Sequence, residues 1–141
     1  MNYIPKRTKY KKKFRGNFNY SKLILEKNCY GNLVFRAAEG GELTGRQLES
    51  CRRVFSRLTG RQGKIWIKVF PDFSYTKKPN ESRMGKGKGE PSSWVVKVSP
   101  GRIIFEFEGD LEKIHDKLFS QICDRLPIKI KRNVLYSENI I

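Results

Sequence analysis

The sequence predicts an α+β fold, a mixed sheet with two packed helices. Three observations carry that expectation. Two stretches place apolar residues at spacings of three and four. Five short stretches read as strands, several alternating apolar with polar residues. The two kinds interleave along the chain, so strands and helices must share one core. A length of 141 residues suits one domain and is enough for a real core.

The first predicted strand is Leu33-Val34-Phe35-Arg36-Ala37, broken by Gly40-Gly41. Thr44-Gly45-Arg46-Gln47 then forms a capping box, in which the Thr hydroxyl takes the N3 amide and the Gln reaches back to the cap. Leu48, Cys51, Val54, Phe55 and Leu58 line one face of the helix that follows, and Gly60 ends it. Lys64 to Phe70 alternates as a strand, with Ile65, Ile67 and Val69 on one face, and Pro71 stops it. Residues 71–93 are rich in Pro, Gly, Lys and Ser and read as one long functional loop. Trp94 to Val98 and Arg102 to Glu108, joined by Ser99-Pro100-Gly101, read as a hairpin. Asp110 is placed to cap a second helix running to about Arg125, with Leu111, Ile114, Leu118 and Ile122 inward and Pro127 beyond its end. Ile128 to Lys131 reads as the last strand. The expected organisation is a basic extension (1–22), one globular domain (23–135) and a tail (136–141).

Charge narrows the function. Thirty Lys and Arg stand against 14 Asp and Glu, a net charge of +16. Such self-repulsion calls for an anionic partner, and nucleic acid, an anionic membrane surface and an acidic protein are the candidates. The distribution is uneven: +8 over residues 1–22, +3 over 23–62, +4 over 63–90 and +1 over 91–141. In the first segment Lys6, Arg7, Lys9, Lys11, Lys12, Lys13 and Arg15 interleave with Tyr3, Tyr10, Phe14, Phe18 and Tyr20, which have no evident core to join. Cations neutralise phosphates and flat rings stack on unpaired bases, so the arm reads as a nucleic-acid segment. Arg46, Arg52, Arg53 and Arg57 fall largely on the outer faces of the first helix, offset only by Glu49. Arginine binds phosphate through a planar fork, which makes that face a backbone-binding surface. Arg61 and Lys64 continue the basic run.

Arg83-Met84-Gly85-Lys86-Gly87-Lys88-Gly89 is the most unusual stretch. Alternate glycines thin the ribbon and let its backbone approach a ligand, while the cations project from it. Its spacing is neither that of a P-loop nor that of a dinucleotide fingerprint. A basic finger of this kind can enter a crowded, negative site.

Enzymatic chemistry has little support. His115 is the lone histidine, and it lies within a helix. Glu106, Glu108, Asp110, Glu112 and Asp116 could in principle hold Mg²⁺ for an RNA-processing nuclease, but Glu106 and Glu108 alternate on the outer face of a strand, where solvation or a basic neighbour explains them. Cys29, Cys51 and Cys123 lack a C-x-x-C pair and read as small buried hydrophobes of a reducing compartment. No apolar run is long enough to span a membrane, and no basic helix with bulky apolar anchors suggests a membrane surface. A general RNA-binding protein and a Mg-dependent nuclease are the alternatives to a structural RNA-binding role.

Several runs carry a resemblance. Pro5-Lys6-Arg7-Thr8-Lys9-Tyr10, Leu43 to Glu49 with Arg52-Arg53, Arg61-Gln62-Gly63-Lys64-Ile65-Trp66-Ile67-Lys68-Val69-Phe70-Pro71-Asp72, Lys78-Pro79, Arg83 to Gly89, Pro100-Gly101 and Leu126 to Lys129 occur in the order found in large-subunit ribosomal protein sixteen, called L ten e in archaea and eukaryotes. The chain resembles that family over nearly its whole length. The resemblance implies a hammerhead-type α+β fold and a structural role in the large ribosomal subunit, bound to rRNA near the peptidyl-transferase centre. It implies that the arm threads into rRNA, that Arg83 to Gly89 point at the aminoacyl-tRNA site, and that Arg83 matches an arginine hydroxylated in some bacterial members. Expected partners are large-subunit rRNA, aminoacyl-tRNA and neighbouring ribosomal proteins, with no self-association. No cofactor is expected beyond structural Mg ions of the rRNA.

Residues 14–32, Ser50-Cys51 and the tail 136–141 depart from the bacterial pattern. Heavy use of Ile, Lys, Asn, Phe and Tyr suggests an AT-rich genome. The family motif begins within a few residues of Met1, which leaves no room for a targeting extension. Together these point to a protein made inside an organelle, the mitochondrion ahead of the plastid, with the cytoplasm of a bacterium as the alternative.

Overall fold

Local rules fix the first helix. Thr44 sits in extended conformation at its N-cap; its hydroxyl accepts from the Gln47 amide (3.3 Å), and the Gln47 side chain accepts from the Thr44 amide (2.8 Å). Helix α1 (Gly45–Leu58) then buries Leu48, Cys51, Val54 and Phe55, with Leu58 half-buried against the same core. It ends where Gly60 and Arg61 both take the left-handed conformation, at φ 58° and 70°. The computed structural model describes residues 3–16, 18–27, 30–85, 87–109 and 114–134.

The remaining elements are β1 (Leu33–Ala37), β2 (Gly41–Thr44), β3 (Lys64–Ile67), β4 (Phe73–Lys77), β5 (Glu90–Val98), β6 (Ile103–Glu108), α2 (His115–Cys123) and β7 (Ile130–Val134). The α+β class with two packed helices holds. The strands, however, do not share one mixed sheet. They divide into a four-stranded sheet, β3-β6-β1-β7, and a three-stranded sheet, β2-β5-β4, and every pairing is antiparallel. The expected hairpin of β5 and β6 is therefore absent: β5 pairs with β2 and β4, and β6 pairs with β1 and β3. The Ser99-Pro100-Gly101 turn instead carries the chain from one sheet to the other. Gly101 has φ +83°, and a Cβ there would collide with the Ile24 carbonyl.

Residues 71–93 are a second correction. Nine of its 23 residues are regular: β4 and the start of β5 form a hairpin, and residues 78–89 make up its loop. The last strand begins two residues later than expected, at Ile130, with Ile128 and Ile130 both buried. Helix α2 buries Leu118 and Ile122 as expected. Asp110, Leu111 and the tail 136–141 lie outside the described residues, so the expected Asp110 cap does too.

One core joins both sheets and both helices. Phe35, Phe55, Phe105 and Phe107 are all fully buried, with Phe55 and Phe107 ring centroids 4.7 Å apart and Phe35 and Phe107 5.0 Å apart. Leu43, Val96 and Val98 bring the second sheet into the same cluster. Cys51 is buried, and the desolvation raises its thiol to about 11; Cys123 is half-buried. Cys29 lies outside the described residues. Among the described residues no helix is long and apolar enough to cross a membrane.

Candidate nucleic-acid interface

The described residues of the basic arm form no helix or strand, yet several of them, Tyr3, Lys11 to Lys13, Arg15 and Tyr20, bond to the folded body. Its aromatics are divided in function. Tyr3 packs against the core and its hydroxyl donates to Glu49 (3.2 Å). Tyr20 and Tyr75 both donate to the Glu42 carboxylate, at 2.5 and 2.6 Å through Oε1. Burial pushes Glu42 up, but the two hydroxyls, with Lys97 and Arg15 nearby, pull it below its ordinary value. Burial and the Glu42 bond push Tyr20 up, and the same bond leads the rise in Tyr75. Tyr10 and Phe14 remain exposed.

Further along, the arm crosses the β4–β5 hairpin. Lys12 donates to the Lys88 carbonyl (2.9 Å) and pairs with Glu90 (3.3 Å). Lys13 donates to the Asp72 carbonyl (2.8 Å), Lys88 donates to the Lys13 carbonyl, and Ser74 donates to the Lys11 carbonyl (2.9 Å). Lys97 donates to the Arg15 carbonyl (2.8 Å). Lys6, Arg7, Lys9, Tyr10, Lys11, Lys12 and Arg15 stay on the surface, with Lys13 half-buried.

Helix α1 presents Arg46, Arg53 and Arg57 on one exposed stripe, at spacings of seven and four. The stripe lines an open cleft of about 860 Å³, whose other walls include Tyr3, Ser93, Trp94 and Arg125. Arg52 belongs less to this surface. It forms a two-pronged bond with Glu49, Nε to Oε2 at 3.0 Å and Nη2 to Oε1 at 2.7 Å, and Arg53 reaches the same carboxylate at 3.3 Å. These bonds, Arg52 foremost, hold Glu49 at about 2 against the opposing effect of burial. Arg61 is exposed after the helix, and Lys64 pairs with Glu108 (3.4 Å). Trp94 and Arg125 were missed by the sequence reading: each looks like a routine strand or helix-end residue until the fold sets both at the cleft.

The glycine–lysine stretch occupies the tip of the hairpin loop. Gly85 and Gly87 have φ +93° and +83° with open space around them, as a thin ribbon requires. Met84 is 98% exposed, Arg83 and Lys88 are exposed, and Gly89 packs against the Lys77 backbone. Lys86 lies outside the described residues. The tip therefore does not join the α1 cleft; the arm meets it from the side.

The acidic cluster is dispersed. Glu106 is not on a solvated face: it is fully buried, accepts from the Tyr30 amide (2.7 Å) and the Gly31 amide (3.3 Å), and lies 3.7 Å from Lys68. Asp116 pairs with Arg132, and Asp110 and Glu112 lie outside the described residues. Glu106 thus fastens a loop backbone to β6. Among the described residues no group of acids, histidines or cysteines is arranged to hold a metal.

Comparison with known proteins identifies the family. The family model described as ribosomal protein L16p/L10e matches residues 5–132. A protein of the bacterium Thioalkalivibrio sulfidiphilus, named large ribosomal subunit protein uL16, is 49% identical over 125 residues, 89% of this chain and 91% of that protein. Large ribosomal subunit protein uL16c of Gossypium barbadense is 42% identical over 125 residues, 89% of this chain and 93% of its own length. With the match running from the arm through β1, α1 and the hairpin tip into β7, the chain belongs to the ribosomal protein L16p/L10e family, whose members are structural proteins and not enzymes.

Proposed function

We propose that this chain is a structural constituent of the large ribosomal subunit, bound to large-subunit rRNA near the peptidyl-transferase centre, and that its hairpin tip helps position aminoacyl-tRNA. The observation that carries the reading is the crossing of the arm over the hairpin. It brings residues 76 apart in sequence, Lys12 and Lys88, into one basic surface. A field this dense is neutralised by phosphates, and the arginine stripe of α1 offers the planar forks that phosphate favours. In this reading Lys6 to Arg15, Arg46, Arg52, Arg53, Arg57, Arg61 and Lys64 contact rRNA. Arg83 to Gly89 face the tRNA, and Arg83 is the position open to hydroxylation. The protein acts as a single copy among neighbouring ribosomal proteins. The two relatives described above, each named as a large ribosomal subunit protein, support the assignment.

The compartment we propose is an organellar ribosome, mitochondrial ahead of plastid, on the grounds of the departures in residues 14–32 and the Ile-, Lys- and Asn-rich composition. Gradient sedimentation of fractionated cells tests both points at once: the chain should run with the large subunit of mitochondria, and recovery at the top of every gradient overturns the assignment. For the tip, Arg83→Ala combined with Lys86→Ala should slow aminoacyl-tRNA accommodation in subunits that still assemble. Normal accommodation kinetics would remove the tip from the mechanism.

A further inference from the structure

Where the arm crosses the hairpin, the structure brings together groups that repel one another. Lys12, Lys13 and Lys88 are interlocked, each ammonium donating to a main-chain carbonyl of the opposite segment. Glu90 and Asp72 offset part of their charge. Arg7, Lys9, Lys12 and Lys13 line a cleft of about 680 Å³ in which Asp72 is the only acid among the described residues. Phe14 forms part of that cleft, yet it is 95% exposed, and the Lys88 ammonium lies 5.8 Å from its ring centroid. Beyond the one cation–π contact with Lys88 the ring contributes no burial to the fold, and the clustered charges oppose it.

Both features suit one ligand class. An unpaired nucleotide offers a flat base for Phe14 and a phosphate for the lysines. We propose that Phe14, Lys12, Lys13 and Lys88 form one composite site for an unpaired, phosphate-linked nucleotide, assembled only where the arm meets the hairpin. The site rests on the ribosomal reading above and sharpens it. Arm and tip then act as one binding unit, not as separate rRNA and tRNA devices.

Fluorescence anisotropy with the full-length protein tests it. The probes are a short single-stranded oligoribonucleotide and an abasic phosphodiester of equal length. Phe14→Ala should weaken binding of the base-bearing probe by about 5- to 100-fold and leave the abasic probe within about twofold, while Phe14→Tyr keeps wild-type affinity. Lys88→Ala should weaken both probes, and its effect should be non-additive with that of Phe14→Ala. Titration with a large-subunit rRNA fragment and with tRNA then identifies the source of the nucleotide as the RNA whose binding the Phe14→Ala change weakens. Equal binding of the base-bearing probe by wild type and Phe14→Ala overturns the composite site. If the salt dependence stays steep in that case, the ribosomal reading survives; if neither RNA binds in a salt-dependent way, both fall.

Discussion

Glu49→Gln should move stability and RNA affinity in opposite directions. The Glu49 side chain is 13% exposed and accepts from Arg52 twice, from Arg53 and from Tyr3. Glutamine keeps the volume and one acceptor but loses the charge. The carboxyl falls from its ordinary 4.5 to about 2 in the folded protein. Its folded pKa is depressed, so its contribution is complete above about pH 4.5 and is lost as pH falls toward 2. The full shift corresponds to about 3 kcal/mol; the solvation of Arg53, 74% exposed, reduces this to about 1–2 kcal/mol. Urea denaturation of both proteins from pH 7 down to pH 3 measures it. The gap between them should be constant from pH 7 to 5 and shrink by at least half at pH 3. In the same variant, Arg52 and Arg53 lose their carboxylate and the α1 face gains one net positive charge. The slope of log affinity for rRNA against log salt should steepen by up to about 1. A pH-independent stability gap, or affinity that falls together with stability, would refute this account of the α1 face.

Other consequences are equally direct. Glu42→Ala removes the acceptor shared by Tyr20 and Tyr75 and should free the arm; limited proteolysis should then cut between Arg15 and Leu23 many times faster, with the core intact. Because Tyr20 and Tyr75 titrate above their ordinary 10, the wild-type arm should keep its protection up to that pH and lose it only at higher pH, as the phenols ionise. Arg61→Gly relieves a left-handed non-glycine residue and should raise stability by about 1 kcal/mol in thermal unfolding while lowering RNA affinity. Glu106→Ala leaves the Tyr30 and Gly31 amides and Lys68 without their buried acceptor, and should cost about 3 kcal/mol or more in urea unfolding.

The sequence was most informative where structure depends on near neighbours. The Thr44–Gln47 box and the inward stripe of α1 follow from spacings of three and four residues, and both are present; Phe105 and Phe107 are core residues as the pattern of β6 suggests, but Ile104 and Glu106 between and beside them are buried as well. Partner choice between strands is not local. Two apolar runs around Ser99-Pro100-Gly101 have every mark of a hairpin. But β2, whose Gly-Glu-Leu-Thr sequence carries almost no strand signal, takes one side of β5, and β4 takes the other. Glu106 illustrates the same limit. Alternation placed it on the outer side of β6, correctly, but nothing in the sequence says that Tyr30 and Gly31 cover that side. The basic residues of the interface were legible as types. Their assembly, with the arm laid over the hairpin and Trp94 and Arg125 lining the arginine cleft, required the fold.

The central claim is that the arm and α1 neutralise rRNA phosphates as one surface. Its most direct test is the salt dependence of binding between the full-length protein and its large-subunit rRNA fragment. Contact with about 8–10 phosphates predicts a log–log slope of about −7 to −9, and a loss of about 10³–10⁵ in affinity between 50 and 200 mM salt. An affinity that barely changes across that range would contradict the account.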